Sequence, residues 1–164
     1  MKVVLIGFMG SGKSSVAPVL AKRIGMDLVE MDDLIVEKAG KSIDKIFADE
    51  GEYAFRELEL SVSKNLKNLD NVVISTGGGL IMNINSFENL KNNSIIVQLY
   101  ASFDTILKRI DPKLPRPLFK DKEAAKYLYE YRLPLYDNFA QIKIVTDDIS
   151  VEQVVDEIVA KIKI

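Results

Sequence analysis

A chain of 164 residues, 48% of them hydrophobic, is long enough to bury one core and short for two. Its formal charge of −2, with acids and bases interspersed, speaks against a nucleic-acid surface, and no apolar run approaches the roughly 18 residues needed to span a bilayer. It contains no histidine and no cysteine, so a histidine-based zinc site or catalytic triad is excluded and general-base chemistry must come from carboxylates, hydroxyls or backbone. No signal segment opens the chain, and a cytoplasmic protein is expected.

The apolar run at residues 2–6 reads as a buried strand and passes directly into Gly7-Phe8-Met9-Gly10-Ser11-Gly12-Lys13-Ser14. A G-x-x-x-x-G-K-S pattern between strand and helix is a phosphate cradle. Its glycines let backbone N–H groups turn inward around phosphate oxygens, and the following helix adds its partial positive end. Lys13 can reach the β- and γ-phosphates, and the Ser14 hydroxyl suits Mg²⁺. A nucleoside triphosphate is therefore the expected ligand. Pro18, about one turn into the helix, removes a hydrogen bond to the Ser14 carbonyl and predicts a slight kink or a water there.

A second strand is expected at about 27–30, followed by Glu30-Met31-Asp32-Asp33. Alternation at a strand end would aim Glu30 and Asp32 to the same side, where one carboxylate could serve a substrate hydroxyl and the other Mg²⁺ through water. The same acids could equally charge the start of the next helix. Residues 31–71 are too long for a single crossover helix and read as three short helices broken at Gly40 and Gly51, an insertion suited to holding substrate. Within it Arg56 lies one turn before Glu59, close enough to pair. Beyond the strand Val72-Val73-Ile74, the run Gly77-Gly78-Gly79 is costly to order, which suggests a ligand approaching bare backbone.

Ser94 to Leu99 is the fourth strand. Phe103, Ile106, Leu107 and Ile110 then form a helical stripe after a Ser102 cap. Asp111 to Lys122, with three prolines, is expected to be irregular and to close over the site. Arg116 lies in that loop and Arg132 just past it. Only five of the 22 basic residues are arginine (Arg23, Arg56, Arg109, Arg116 and Arg132), and their rigid forks suit carboxylates and phosphates in a way lysine does not. The fifth strand is Ile142 to Val145. Thr146-Asp147-Asp148-Ile149 follows without a basic or aromatic residue to stack on a base, and no nucleotide contact is assigned to it. The last helix carries Val151, Val154, Val155, Ile158, Val159 and Ile162 on one face, with Ser150 and Gln153 as a capping box. Strands alternating with helices imply parallel pairing, right-handed crossovers and a three-layer α/β domain whose ligands sit beyond the carboxyl ends of the strands.

Over nearly its whole length this pattern resembles the shikimate kinase family. The likeness is carried by Leu-Ile-Gly-Phe-Met-Gly-Ser-Gly-Lys-Ser, by Gly51-Glu52-Tyr53-Ala54-Phe55-Arg56 with Glu59, by Ser75-Thr76-Gly77-Gly78-Gly79, by Arg116-Pro117-Leu118, and by Arg132 with Pro134-Leu135-Tyr136. The resemblance implies a single P-loop kinase domain over 1–164, with a five-stranded parallel sheet ordered 2-3-1-4-5, a substrate-binding insertion at about 31–71 and a lid at about 111–122. It implies transfer of the γ-phosphoryl of ATP to the 3-hydroxyl of shikimate, with Mg²⁺ as cofactor. Gly10, Ser11, Gly12, Lys13, Ser14 and Ser15 would hold the ATP phosphates, and Ser14 the metal. Asp32 would be the base at the 3-hydroxyl, Arg56 and Arg132 would clamp the carboxylate, and Gly77, Gly78 and Gly79 would contact the ring. Lys13 and Arg116 would spread charge on the transferring phosphoryl, and Arg109 would lie near the adenine. The family usually carries Asp-x-Asp where this chain has Glu30-Met31-Asp32, so Glu30 becomes the outer-shell acid with one extra methylene. ATP and shikimate are the implied partners, with no nucleic acid or membrane, and a monomer is expected. The rival readings are another small-molecule P-loop kinase, a GTPase switch, whose Asn-Lys-x-Asp and Asp-x-x-Gly patterns are missing, and a nonenzymatic ATP-binding module.

Overall fold

The computed structural model describes residues 1–111, 113 and 117–163. Five strands, β1 (Lys2–Ile6), β2 (Asp27–Glu30), β3 (Val72–Ser75), β4 (Ser94–Tyr100) and β5 (Ile142–Val145), pair in parallel in the order β2-β3-β1-β4-β5. This is the expected sheet. Its centre is β1, buried at every residue and paired on both edges, with Val4 opposite Ile74 on one side and Ile96 on the other. The β-branched runs belong there because a parallel sheet is covered on both faces and each strand must be apolar on both.

Strand alternation sorts the core into two layers. Val4, Ile6, Ile74 and Ile96 face the larger layer, built with α2 (Met31–Ala39), α3 (Ile43–Leu66), α4 (Ile84–Lys91), α5 (Phe103–Arg109) and α6 (Lys122–Phe139). Val3, Leu5, Val73, Val97 and Leu99 face the other, closed by α1 (Lys13–Ile24) and α7 (Val151–Lys161). Arg23 of α1 adds ion pairs to Glu152 at 3.1 Å and Asp156 at 2.5 Å of α7. The Ser150–Gln153 capping box is present, and Ser102 caps α5 by accepting from the Thr105 N–H. No helix among the described residues is long and apolar enough to cross a membrane.

Several local expectations change. Helix α1 runs through Pro18 without a break. Pro18 and Ser14 are both exposed, so the carbonyl that loses its partner lies on the solvated face of the helix. The chain turns helical at Met31, with Glu30 as N-cap of α2, so Asp32 stands in the first turn of a helix and strand alternation does not set its direction. The stretch from Asp111 to Lys122 is not wholly irregular: Pro117–Lys120 forms a 3₁₀ helix, and Asp121 caps α6 by accepting from the Glu123 and Ala124 N–H groups. Proline's fixed φ is compatible with a first helical turn, which is why a Pro-rich stretch can still start one. Arg116, together with Pro112, Leu114 and Pro115 of the expected lid, lies outside the described residues.

The expected breaks at Gly40 and Gly51 are real. Gly40 ends α2 in the left-handed region, and Gly51 bends α3 with φ 88° and ψ 177°. That combination is essentially restricted to glycine. A Cβ at Gly51 would meet nothing within 4 Å, so any cost of adding one comes from the backbone alone. Gly51→Ala should therefore destabilise the fold by about 1–3 kcal/mol in urea unfolding. An unchanged midpoint would mean the bend is not needed.

Candidate active site

A cleft of ≈ 680 Å³ opens at the carboxyl ends of β1 and β3, lined by the phosphate loop from Met9 to Val16 and by Asp32, Thr76, Gly77, Gly78 and Arg109. Gly10, Ser11, Gly12, Lys13, Ser14 and Ser15, assigned to phosphate binding from sequence, all line it. The loop is tight at its start. Gly7 has φ +151°, and a Cβ there would fall 2.5 Å from the Leu99 carbonyl oxygen. Lys13 donates from Nζ to the carbonyl oxygens of Gly7 at 2.6 Å and Phe8 at 3.1 Å, so its ammonium lies across the cradle.

The second wall is the segment leaving β3. Thr76 donates through both its N–H, at 3.3 Å, and its hydroxyl, at 2.8 Å, to the Leu5 carbonyl, which holds the Gly77–Gly79 turn beside the phosphate loop. Each glycine of that turn faces another part of the site. A Cβ at Gly77 would lie 3.0 Å from Asp32 Oδ1, one at Gly78 would lie 3.3 Å from the Met9 nitrogen, and one at Gly79 would lie 2.5 Å from Arg56 Nη2. The bare backbone, expected to admit a ligand, also makes room for the protein's own acid, loop and guanidinium.

Arg56 is held on three sides. Its Nη1 donates to Glu59 at 3.0 Å, its Nη2 reaches Glu52 at 3.4 Å, and its guanidinium carbon sits 5.3 Å from the Phe55 ring centre. Asn83 braces the pair, donating to the Arg56 carbonyl at 3.0 Å and to Glu59 Oε1 at 3.2 Å. Arg132, on α6, lies 5.9 Å over the Phe8 ring and one turn before Tyr136, whose hydroxyl donates to the Gly78 carbonyl at 2.6 Å. Arg56 therefore borders the triple-glycine turn at Gly79, and the helix that carries Arg132 is bonded to the turn at Gly78 through Tyr136.

The acids sit in an electrostatically mixed setting. Asp32 is open to solvent through the cleft, yet crowding by protein atoms thins its solvation and pushes its carboxyl above the ordinary aspartate range, while Lys13 pulls it back. Glu30 is also raised, first by burial and then by Asp33 and Asp32; the Ser75 hydroxyl and Lys13 oppose that shift. Glu30 thus stands opposite Ser75 in the β2–β3 register, at the exit of β3 and within the field of Lys13.

Arg109 donates to the Gly10 carbonyl at 3.1 Å, to the Thr146 hydroxyl at 3.0 Å and to the Thr146 carbonyl at 2.8 Å, tying the phosphate loop to the segment after β5. Thr146, Ile149, Val151 and Val154 line the same cleft. Sequence reasoning left this segment out because it holds no stacking group, and the α7 valines read as core. The clue available was their position after the last strand's carboxyl end. Tyr136, Asn83, Ser75 and Thr76 were also missed as supports of the site.

Glu59 is 1% exposed, and burial raises its carboxyl despite the opposing Arg56 and Asn83. A folded-state value above the unfolded one means that the folded state binds more protons in between, so this group's contribution falls as pH rises through the raised value. In melts taken from pH 4 to pH 8, the wild type should lose stability relative to Glu59→Gln as pH climbs past the ordinary glutamate range. Parallel curves throughout would show that Glu59 titrates normally.

Comparison with known proteins agrees with this geometry. The family model described as shikimate kinase matches residues 9–163. A shikimate kinase of Sulfurihydrogenibium sp. (strain YO3AOP1) is 43% identical over 98% of this chain and 97% of its own. The structure of shikimate kinase from Acinetobacter baumannii in complex with shikimate superposes with a TM-score of 0.91 at 32% identity, covering 99% of this chain and 95% of that one. The shikimate kinase of Aquifex aeolicus vf5 gives 0.82 at 36% identity, over 98% and 94%. Matched along almost all of its sequence and backbone, with a phosphate cradle and a guanidinium against one glycine turn, this chain belongs to the shikimate kinase family.

Proposed function

We propose that the chain transfers the γ-phosphoryl group of ATP to the 3-hydroxyl of shikimate, giving shikimate 3-phosphate and ADP. The observation that carries this reading is the glycine turn, which abuts the phosphate loop and has Asp32 at one end and Arg56 at the other, with the helix of Arg132 bonded to its middle through Tyr136. In this assignment Arg56 and Arg132 hold the substrate carboxylate, Gly77, Gly78 and Gly79 face the ring, and Asp32 receives the proton of the attacking hydroxyl. A carboxyl already raised by its surroundings is a better match to that task than an ordinary aspartate. Gly10 to Ser15 cradle the ATP phosphates, and Arg109 borders the base. A substrate without a carboxylate would forgo the bonds to both guanidiniums, which gives selectivity.

The oxygen-only donor set suits Mg²⁺, a hard ion that keeps several waters and leans on phosphate oxygens. Ser14 would be its protein ligand, with Glu30 in the outer shell. When bound, the ion would neutralise charge on the β- and γ-phosphates. The chain's own share is to position the reactants. Lys13 exchanges carbonyl oxygens for phosphate oxygens, and Asp32 aligns the hydroxyl. The same role read for Arg116 rests on its Arg116-Pro117-Leu118 setting in the sequence. The domain is read as a single unit over 1–164, with α2 and α3 as a substrate-holding insertion and 111–122 as a lid. It is also read as a cytoplasmic monomer that needs no nucleic acid or membrane.

A coupled assay of ADP release tests this directly. Release should depend on shikimate, and ATP affinity without shikimate-dependent turnover would reduce the protein to a binding module. Asp32→Asn should keep ATP binding while kcat falls by about 10²–10⁴; retention of most of kcat would remove Asp32 from catalysis. Arg56→Lys keeps the charge but loses the fork, and should raise the shikimate KM roughly ten- to a hundredfold. An unchanged KM would place the carboxylate elsewhere.

A further inference from the structure

Tyr136 is 1% exposed, one of the largest fully buried side chains of the molecule, and its ring is part of the larger core layer. Packing alone would ask only for a phenylalanine. Its hydroxyl instead donates to the Gly78 carbonyl at 2.6 Å, one turn after Arg132 on the same helix. Burial pushes the phenol up to about 12, with Arg132 pulling it down, so the proton that Gly78 receives is present throughout the working pH range. The neighbouring glycines seat Asp32 and Arg56, and the other side of Gly78 rests on the loop backbone at Met9 and Gly7. Arg132 also has an Nε that is buried without a hydrogen-bond partner. The Tyr136–Gly78 bond thus fixes where the helix that carries Arg132 stands against the turn.

We propose that Tyr136 is a positioning residue for the reaction, its hydroxyl setting the distance between Arg132 and the Gly77–Gly79 turn. It thereby fixes the spacing of the two guanidiniums and the acid around the substrate. This rests on the reading that Arg132 holds the substrate carboxylate. A neutral hydroxyl suits the task. It donates to the Gly78 carbonyl and so ties the helix that carries Arg132 to the turn, without adding charge that would compete with a carboxylate for the guanidinium.

Tyr136→Phe keeps the ring and removes only the link, and steady-state kinetics on the full chain with shikimate and ATP varied separately provide the test. The variant should melt within a few degrees of the wild type. Its shikimate KM should rise at least about fivefold and its kcat should fall, because Asp32 rests on the same turn, while the ATP KM stays within about twofold. In a double-mutant cycle with Arg132→Lys, the two losses in kcat/KM should be less than multiplicative, as expected for groups acting as a unit. If Arg132→Lys raises the shikimate KM but Tyr136→Phe leaves it within twofold, or if the losses simply multiply, the positioning role is overturned while the functional reading stands. If Arg132→Lys itself leaves the shikimate KM unchanged, the assignment of the carboxylate to Arg132 fails, and the role of Tyr136 fails with it.

Discussion

One carbonyl oxygen, that of Leu5, accepts two bonds from Thr76 and joins the exits of the two strands on which the site is built. Parallel pairing of β1 with β3 brings both exits to the same edge of the sheet. The Thr76 contacts then decide that they leave together, one as the phosphate loop and the other as the glycine turn. Among the described residues, the main groups assigned a role are referred to one of these two segments. Lys13 and Ser14 follow the first, and Asp32, Arg56 and Tyr136 touch the second. A hydrogen-bonded side chain at the end of a strand thus converts sheet order into a distance between nucleotide and acceptor.

The glycine turn works by omission. A packed interior tolerates few voids, and the volume three side chains would occupy is taken by functional groups that approach the backbone directly. The cost of ordering three glycines is met by contacts along the turn, with Thr76 before it, Tyr136 at its centre and Arg56, backed by Glu59 and Asn83, at its end. Glu59 illustrates the tension: its burial is unfavourable for its own charge, yet that burial gives Arg56 a fixed partner. A surface pair with the same atoms would be weaker and less directional.

The fold was legible because its signals are local. β-Branched runs marked the strands, glycines marked the breaks at Gly40 and Gly51, and Ser102 and Ser150 marked helix starts. The phosphate loop was legible for the same reason, since each residue's chemistry follows from its type and spacing. What failed depended on neighbours distant in sequence. Alternation was the wrong rule for Glu30 and Asp32 because the strand ends at Glu30 and the chain is already helical at Met31. Proline content hid the 3₁₀ helix at Pro117–Lys120, because the same fixed φ that breaks a helix can begin one. Thr146 and Ile149 carry no chemical mark of their own and reach the cleft only because β5 lies at the sheet edge next to β4. The protein groups that crowd the triple glycine could not be read locally either, since Asp32 and Arg56 come to it from 45 and 23 positions earlier in the chain.

The Lys13 ammonium spans the Gly7 and Phe8 carbonyls, so whatever enters the cradle must outcompete two neutral oxygens already in place. A weakly charged guest gains little from that exchange, whereas a polyanion gains the difference between a carbonyl and a phosphate oxygen at each contact. The resting loop is thereby a threshold on ligand charge: a nucleoside whose terminal phosphates are missing would fit the cleft's shape and still leave the lysine where it lies.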